Sequence, residues 1–98
     1  MRVKINSVHF KTDKKLEDFI KEKVEKLVST YDSVVGSDVT LKVSNSNDPV
    51  NKVAEIRLSI PGNDLYAKKQ CKTFEEATDS AIDALKKQLF KHKEKQKK

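Results

Sequence analysis

The chain is poor in the residues that support metal binding, phosphate-binding loops or membrane insertion. It has one cysteine, Cys71, so no internal disulfide can form, and one thiol with two histidines is too few ligands for a structural zinc site. Two glycines are too few for a phosphate-cradling loop. No apolar run approaches the roughly 20 residues of a membrane span, and residues 1–6 lack the apolar stretch of a signal peptide. We therefore expect a cytoplasmic protein that needs no metal or other cofactor.

Catalytic residues are also hard to find in the sequence. His9 and His92 are 83 positions apart, and no serine sits in a nucleophile-elbow setting. Alternation places Cys71 on the inward side of a strand, where a small core residue is the simplest interpretation. No set of nucleophile, base and orienting group emerges. We predict no catalytic residue, no enzyme activity and no small-molecule substrate.

Positive charge, in contrast, is concentrated at one end of the chain. The 98 residues carry a formal net charge of +6. Residues 86–98 hold seven Lys and one Glu, whereas the first 85 residues hold 14 basic and 14 acidic side chains. The excess is therefore a terminal feature on a balanced body, which favours a polyanionic partner. A merely solubilising tail is the alternative.

The first third of the chain alternates and then changes to helical spacing. Val3 and Ile5 indicate a half-buried strand, which we expect to run on to Phe10 with a slip near Ser7. A helix follows, because its apolar residues recur at intervals of three and four. That stripe consists of Leu16, Phe19, Ile20, Val24, Leu27, Val28 and Tyr31.

The ends of this helix have their own signals. Thr12 or Asp13 can cap its beginning, and Gly36 is a plausible stop. Charged residues between the apolar positions form opposite-sign pairs one turn apart, such as Glu17 with Lys21. We interpret that side of the helix as a solvated face.

Three strands and a second helix account for the rest. Residues 39–43, 54–60 and 65–71 alternate, and a Pro-Gly turn cluster between the last two suits a hairpin. Lys69 breaks the inward pattern of the fourth strand, which an edge position or a bulge would explain. Thr73 and Glu76 then form a capping box.

The second helix should be longer than the strands beneath it. Its inward stripe is Phe74, Ala77, Ala81, Leu85 and Leu89, flanked by Ile82 and Ala84. A helix from residue 74 to 95 spans roughly 33 Å at ~1.5 Å per residue, whereas strands of about eight residues span ~26 Å. We expect the last turns, which hold the basic run, to project past the sheet.

The order of elements predicts an α+β fold. It is a β-α-β-β-β-α two-layer sandwich, in which both helices cover one face of a four-stranded sheet and the other face is open to water. The first helix is a crossover, so strands one and two should be parallel, and hairpins join the later strands. We expect residues 1–96 to form a single domain, with a basic end at residues 97–98.

Lysines around the end of the second helix are the main candidates for nucleic-acid contacts. They surround the helix rather than sharing one narrow face, and they are Lys86, Lys87, Lys91, Lys93 and Lys95. Phe90 falls opposite the apolar stripe, where it would stack on a base or else fold back onto the body. Of the 21 basic residues 19 are lysines, which bind phosphate as point charges, so we expect recognition of backbone and shape and not of sequence.

A second basic patch is possible on the open face of the sheet. Its members share one strand parity, and they are Arg2, Lys4, Lys42, Arg57, Lys68 and Lys72, with Tyr66. Glu55 dilutes this patch, and outward strand residues are usually polar in any case. A binding surface and an ordinary solvated face are therefore both open.

Four stretches carry a family resemblance across almost the whole chain. They are residues 3–10 (VKINSVHF), the helix at 16–27, the Ile60-Pro61-Gly62 turn and above all residues 77–95, ATDSAIDALKKQLFKHKEK. In this order and spacing, they resemble the ribosome hibernation-promoting factor family, which includes the ribosome-associated inhibitor proteins. The resemblance implies a fold like that of a double-stranded RNA-binding domain.

The same resemblance implies a function. Such proteins bind the small ribosomal subunit and its rRNA in the decoding channel, overlap the mRNA and tRNA sites, and keep ribosomes inactive under stress or in stationary phase. By position, the family's rRNA contacts fall on the basic helix end, which includes Lys86, Lys87, Lys91, His92 and Lys93. Further basic residues carry over with weaker support, namely Lys4, Lys68 and Lys72. We expect a monomer away from the ribosome.

The sequence also departs from the family pattern. Many relatives have an acidic fourth strand where this chain reads Lys68-Lys69-Gln70, and many have a basic residue where Val8 precedes His9. The chain ends at Lys98, which suggests a short form without the second domain that pairs two ribosomes. Promotion of ribosome dimers and blocking of single ribosomes are both open, and a general structured-RNA binder or RNA chaperone is the alternative function.

Overall fold

The computed structural model of the chain describes residues 2–8, 11–29, 31, 34–44 and 49–96, without the side chains of residues 2 and 92–96. Six elements follow one another in the predicted order. They are β1 (Arg2–Val8), α1 (Lys14–Ser29), β2 (Gly36–Val43), β3 (Lys52–Ile60), β4 (Asn63–Cys71) and α2 (Phe74–Gln96). The α+β architecture is therefore confirmed.

The four strands form one sheet in the order β1-β2-β3-β4. β1 runs parallel to β2, as expected when α1 is the crossover, and the pairs β2–β3 and β3–β4 are antiparallel. Pro61 and Gly62 connect β3 to β4, and Gly62 has a φ of 80°, the positive value that the third residue of a type II turn requires. β1 and β4 are the edges of the sheet.

Two details of the first third of the chain differ from expectation. The β1–β2 register runs without interruption from Arg2 opposite Gly36 to Val8 opposite Lys42, so the predicted slip near Ser7 is wrong. Phe10, the predicted end of the strand, lies outside the described residues. Gly36 is the first residue of β2 and not a helix stop, because α1 already ends at Ser29.

Both helix starts have the expected caps. The backbone N–H of Leu16 donates to Oδ1 of Asp13 over 2.8 Å, and the Thr12 hydroxyl donates instead to the Glu17 carboxylate. At the start of α2, the N–H of Glu76 donates to Oγ1 of Thr73 over 3.1 Å. Each cap satisfies a backbone donor that the first helical turn leaves unpaired.

The core lies between the two helices and one face of the sheet. α2 packs against β3 and β4, whereas α1 packs against α2 and β1. The buried positions of α2 are Ala77, Ala81, Ile82, Leu85 and Leu89, together with Thr78, which the sequence pattern did not mark. These side chains meet the inward residues of the central strands, chiefly Val39, Leu41, Ala54, Ile56 and Leu58.

Lys69 is explained by its place on an edge strand. It is exposed although its parity points it to the helix side, and it pairs with Ala54 in an unbroken β3–β4 register. The edge position therefore accounts for the charge, and the strand has no bulge there.

Candidate nucleic-acid interface

The last part of α2 carries exposed lysines around the end of the core. Leu89 is 1% exposed and is the last buried residue among those described, yet α2 continues to Gln96. That extension is about 10 Å long at ~1.5 Å per residue. Lys86, Lys87 and Lys91 are exposed, as predicted. The helix thus presents positive charge where it leaves the hydrophobic body.

The other predicted residues of this region are placed only in part. His92, Lys93 and Lys95 belong to the final turns of α2, and their side chains lie outside the described residues. Phe90 is 58% exposed and lies one turn from Lys86, so its outward position is confirmed. Its stacking on a base stays a prediction.

A cleft between α1 and α2 adds two lysines that the sequence pattern does not mark. Lys23 and Lys26 of α1 line this cleft together with Lys86 of α2. Its remaining lining consists of Leu27, Ser29, Tyr31 and Ile82. Three cations from two helices therefore border one concave surface, an arrangement that suits phosphate oxygens.

Lys23 has one contact to α2 and one within α1. Its Nζ lies 3.6 Å from Oδ1 of Asp79 and 5.5 Å from the centre of the Phe19 ring. The side chains of Lys23 and Asp79 are 41% and 53% exposed, so the ion pair contributes little to stability. Lys23 and Lys26 each precede a buried residue of the α1 stripe, but the sequence does not reveal which flank of that stripe faces α2.

The open face of the sheet carries the second predicted patch. The described basic side chains on this face are Lys4, Lys42, Arg57 and Lys68. In the row of cross-strand partners that contains Tyr66, Lys4 lies opposite Asp38, Asp38 opposite Arg57, and Arg57 opposite Tyr66. Lys72 is exposed but follows the last residue of β4, so it lies beyond the strand and not within the patch. Arg2 begins β1, and its side chain lies outside the described residues.

Glu55 is held by two neighbours on this face. Its Oε2 lies 2.6 Å from Nζ of Lys42, and its Oε1 accepts a 2.8 Å hydrogen bond from the Tyr66 hydroxyl. The hydrogen bond from Lys42 is the main cause that lowers the pKa of Glu55, against the opposing effect of partial burial. The same network raises the pKa of Tyr66, because its phenol donates to a carboxylate. Glu55 and Lys42 thus neutralise each other, and the positive charge of the patch rests on its other basic residues.

Other kinds of site have little support in the part of the chain that the structure describes. There, no group of three or more His, Cys, Asp or Glu is placed to hold a metal ion. Cys71 is half-buried, with its Sγ 3.9 Å from the Ser80 hydroxyl. None of the described helices is long and apolar enough to span a membrane.

A family model decides the relationship of the chain to known proteins. The model described as "Sigma 54 modulation protein / S30EA ribosomal protein" matches residues 3–97. The chain belongs to this family. The S30EA match runs from β1 to the end of α2, so it includes the basic end of α2, the cleft between the helices and the open face of the sheet.

Curated relatives confirm the resemblance found in the sequence. A protein of Pseudomonas putida named ribosome hibernation promoting factor is 33% identical over 96 residues, which cover 98% of this chain and 90% of the relative. A protein of the same name from Klebsiella oxytoca is 29% identical and covers 97% of this chain and 96% of the relative. The S30EA chain is thus similar to hibernation factors over nearly its whole length.

Solved structures support the S30EA fold. A ribosomal subunit interface protein from Coxiella burnetii superposes with a TM-score of 0.84 at 15% identity, covering 95% of this chain and 98% of that one. The N-terminal domain of Thermus thermophilus Protein Y gives a TM-score of 0.77 at 21% identity, covering 91% of this chain and 96% of that one. At these identities the likeness shows the fold.

Proposed function

We propose that this protein is a ribosome hibernation factor that inhibits translation. It binds the small ribosomal subunit and its rRNA in the decoding channel, covers the mRNA and tRNA sites, and keeps ribosomes inactive in the cytoplasm under stress or in stationary phase. Residues 1–96 act as one ribosome-binding domain, which is a monomer away from the ribosome and has no enzyme activity. The names of the curated relatives support this role.

One observation carries the proposal, namely the exposed Lys86, Lys87 and Lys91 on α2, around the point where the helix leaves the core. A chain whose first 85 residues balance in charge has no general attraction for RNA, so contact depends on where the charge is placed. Lysines on a projecting helix can approach several phosphates at once. We assign rRNA contacts to the helix residues Lys86, Lys87, Lys91, His92, Lys93 and Lys95.

The remaining contacts extend this main surface. The cleft lysines Lys23 and Lys26 lie beside Lys86 and widen the cationic surface across both helices. Lys4 and Lys68 on the sheet and Lys72 after β4 are further contacts, on sides of the protein that a narrow RNA channel would also touch.

Co-sedimentation with purified small subunits tests the proposal. The variant in which Lys91, Lys93 and Lys95 are replaced by Gln should bind more weakly and lose salt dependence, because each phosphate contact contributes about 0.7–0.9 to the slope of log K against log salt. The matched control removes the same charge from α1, where Lys14, Lys15 and Lys21 are exposed. That control should bind nearly as the unmodified protein does.

Two outcomes would reject the proposal. If both triple variants bind alike with the same salt slope, the end of α2 only solubilises the protein. If the unmodified protein binds free duplex RNA as tightly as it binds small subunits, the protein is a general RNA binder and not a ribosome factor.

A further inference from the structure

The open face of the sheet contains a shallow depression beside Tyr66. Tyr66 is 45% exposed and is the only large aromatic exposed on the strands that the structure describes. Its hydroxyl reaches Glu55 on β3, so the ring leans across the sheet and does not stand away from it. Five hydrogen-bonding side chains from the other three strands complete the lining, and they are Lys4, Asn6, Asp38, Thr40 and Arg57.

The size and lining of this depression suit one flat polar group. Its volume is about 260 Å³. Sites that enclose a drug-sized ligand have roughly 300–1,000 Å³, so this one is suited to a smaller group. Apart from the Tyr66 ring, the lining is polar or charged. A protein partner would instead be expected to find an apolar centre to anchor on, which favours a nucleotide.

The charges around the depression favour a nucleotide that carries phosphate. Because Lys42 compensates Glu55 at 2.6 Å, the nearest uncompensated acid in the lining is Asp38. Lys4 and Arg57 line the depression, and Lys68 lies opposite Glu55 on β4. Asp64, at the hairpin end of the same face, is farther along the strand. The local balance is positive, next to an aromatic ring and several side chains that can hydrogen-bond the edge of a base.

The position of the ring is also fixed before any ligand binds. The Tyr66 hydroxyl is bonded to Glu55, and Glu55 is bonded to Lys42. A ring held in this way loses less conformational freedom when a base stacks on it. Bases in a duplex are covered on both faces by their neighbours, so only an unpaired base is available to stack.

We propose that this depression binds one unpaired RNA nucleotide, with its base on Tyr66 and its phosphate near Lys4, Arg57 and Lys68. It is a second RNA contact, on the face of the sheet opposite to the helices. The inference depends on the proposed function only for the source of the RNA, which would be ribosomal or messenger RNA. The chemistry of the contact is a property of the sheet face alone.

An NMR titration of the full chain with two short probes tests this site. One probe is a single-stranded hexauridine, and the other is an abasic strand with the same number of phosphates. The unmodified protein should bind hexauridine about fivefold or more tightly than the abasic strand. This difference corresponds to one base–aromatic contact, which only hexauridine can make. The shifted amides should include those of β3 and β4 around Arg57 and Tyr66.

Substitutions of Tyr66 separate stacking from charge. Tyr66→Ala should abolish the preference for hexauridine, whereas Tyr66→Phe, which keeps the ring and loses only its hydroxyl bond to Glu55, should keep most of it. Tyr66→Leu retains a large side chain on the strand without an aromatic ring, and it should also lose the preference, which guards against a folding defect in the alanine variant. Equal affinity of the unmodified protein for both probes, or an unchanged preference in Tyr66→Leu, would overturn the proposal, as would amide shifts confined to the helices.

Small-subunit sedimentation is run on the same proteins and judges the proposed function separately. If the unmodified protein fails to sediment with small subunits, the ribosomal role is lost, while the two RNA probes still decide whether the depression binds a base.

Discussion

The side-chain amide of Gln88 in α2 donates a 2.9 Å hydrogen bond to the backbone carbonyl of Tyr66 in β4. β4 is an edge strand, so its outward carbonyls have no strand partner, and Gln88 satisfies one of them. Gln88 also directly precedes Leu89, the last described core residue of α2. The contact therefore attaches the helix to the sheet near the point where it leaves the body.

Loss of this hydrogen bond should weaken the fold. We expect Gln88→Ala to lower the free energy of unfolding by about 1 kcal/mol, the usual contribution of a single hydrogen bond, as measured by urea denaturation. Gln88→Glu keeps the length of the side chain but places a carboxylate, which cannot donate a hydrogen bond, beside the carbonyl oxygen. This variant should be at least as destabilised at neutral pH, and its stability should recover at acid pH, where the protonated carboxyl can donate. Unfolding curves that match the unmodified protein for both variants would show that the bond contributes nothing.

Removal of a buried hydroxyl should have the opposite effect. Thr78 is 0% exposed, and its Oγ1 has no hydrogen-bond partner among the described residues. Thr78→Val keeps the shape and removes the unsatisfied oxygen, so we expect about 1 kcal/mol of added stability and a higher Tm. Thr78→Ala is the control, since it removes the same oxygen but leaves a cavity and should gain less. A lower Tm for Thr78→Val would mean that the hydroxyl is bonded in solution.

The Glu55 network should make stability depend on acid pH. The pKa of Glu55 is lowered in the folded protein, mainly by the hydrogen bond from Lys42. A carboxylate of this kind stabilises the fold above its unfolded-state pKa, and that contribution disappears as the pH falls through the lower, folded-state pKa. The free energy of unfolding should therefore fall less between neutral and strongly acidic pH for Glu55→Gln than for the unmodified protein. Denaturant unfolding at both pH values measures this difference. Glu25→Gln, on the exposed side of α1, serves as control and should follow the unmodified protein.

The two partners of the inter-helix ion pair should have opposite effects on small-subunit binding. Lys23→Gln and Asp79→Asn both remove the ion pair that joins their side chains over 3.6 Å. If Lys23 contacts phosphate, Lys23→Gln should bind small subunits more weakly, whereas Asp79→Asn removes a repulsive charge and should bind more tightly. Equilibrium binding at two salt concentrations measures this difference, and a similar decrease in both variants would assign the pair a structural role only.

Much of the fold follows from local sequence signals. The caps at Asp13 and Thr73, the alternation of the strands and the crossover at α1 depend on neighbouring residues, so they are readable without the structure. The end of α1 is different, because Gly36 predicts a stop, whereas the helix ends seven residues earlier, at Ser29. Glycine marks backbone freedom, and both helix ends and strand ends use it.

The sites depend on features that local patterns do not encode. Alternation assigns Glu55 and Tyr66 to the open face, but their hydrogen bond requires the β3–β4 register, which the pattern alone leaves unspecified. In the same way, the cleft at Lys23 and Lys86 depends on how α1 and α2 are rotated about their axes. The burial of Thr78 is not predicted either, because the inward stripe of a helix is identified from apolar residues and threonine is polar.

The uneven distribution of charge along the chain bears on how the protein meets its partner. A balanced body with a cationic helix end has an electric dipole moment, which aligns the molecule in the field of a polyanion before the surfaces touch. Encounters in which the end of α2 approaches the polyanion first should then be more frequent than in randomly oriented collisions. Added salt should slow association more than it speeds dissociation, so the placement of seven lysines influences the rate of arrival as well as the strength of binding.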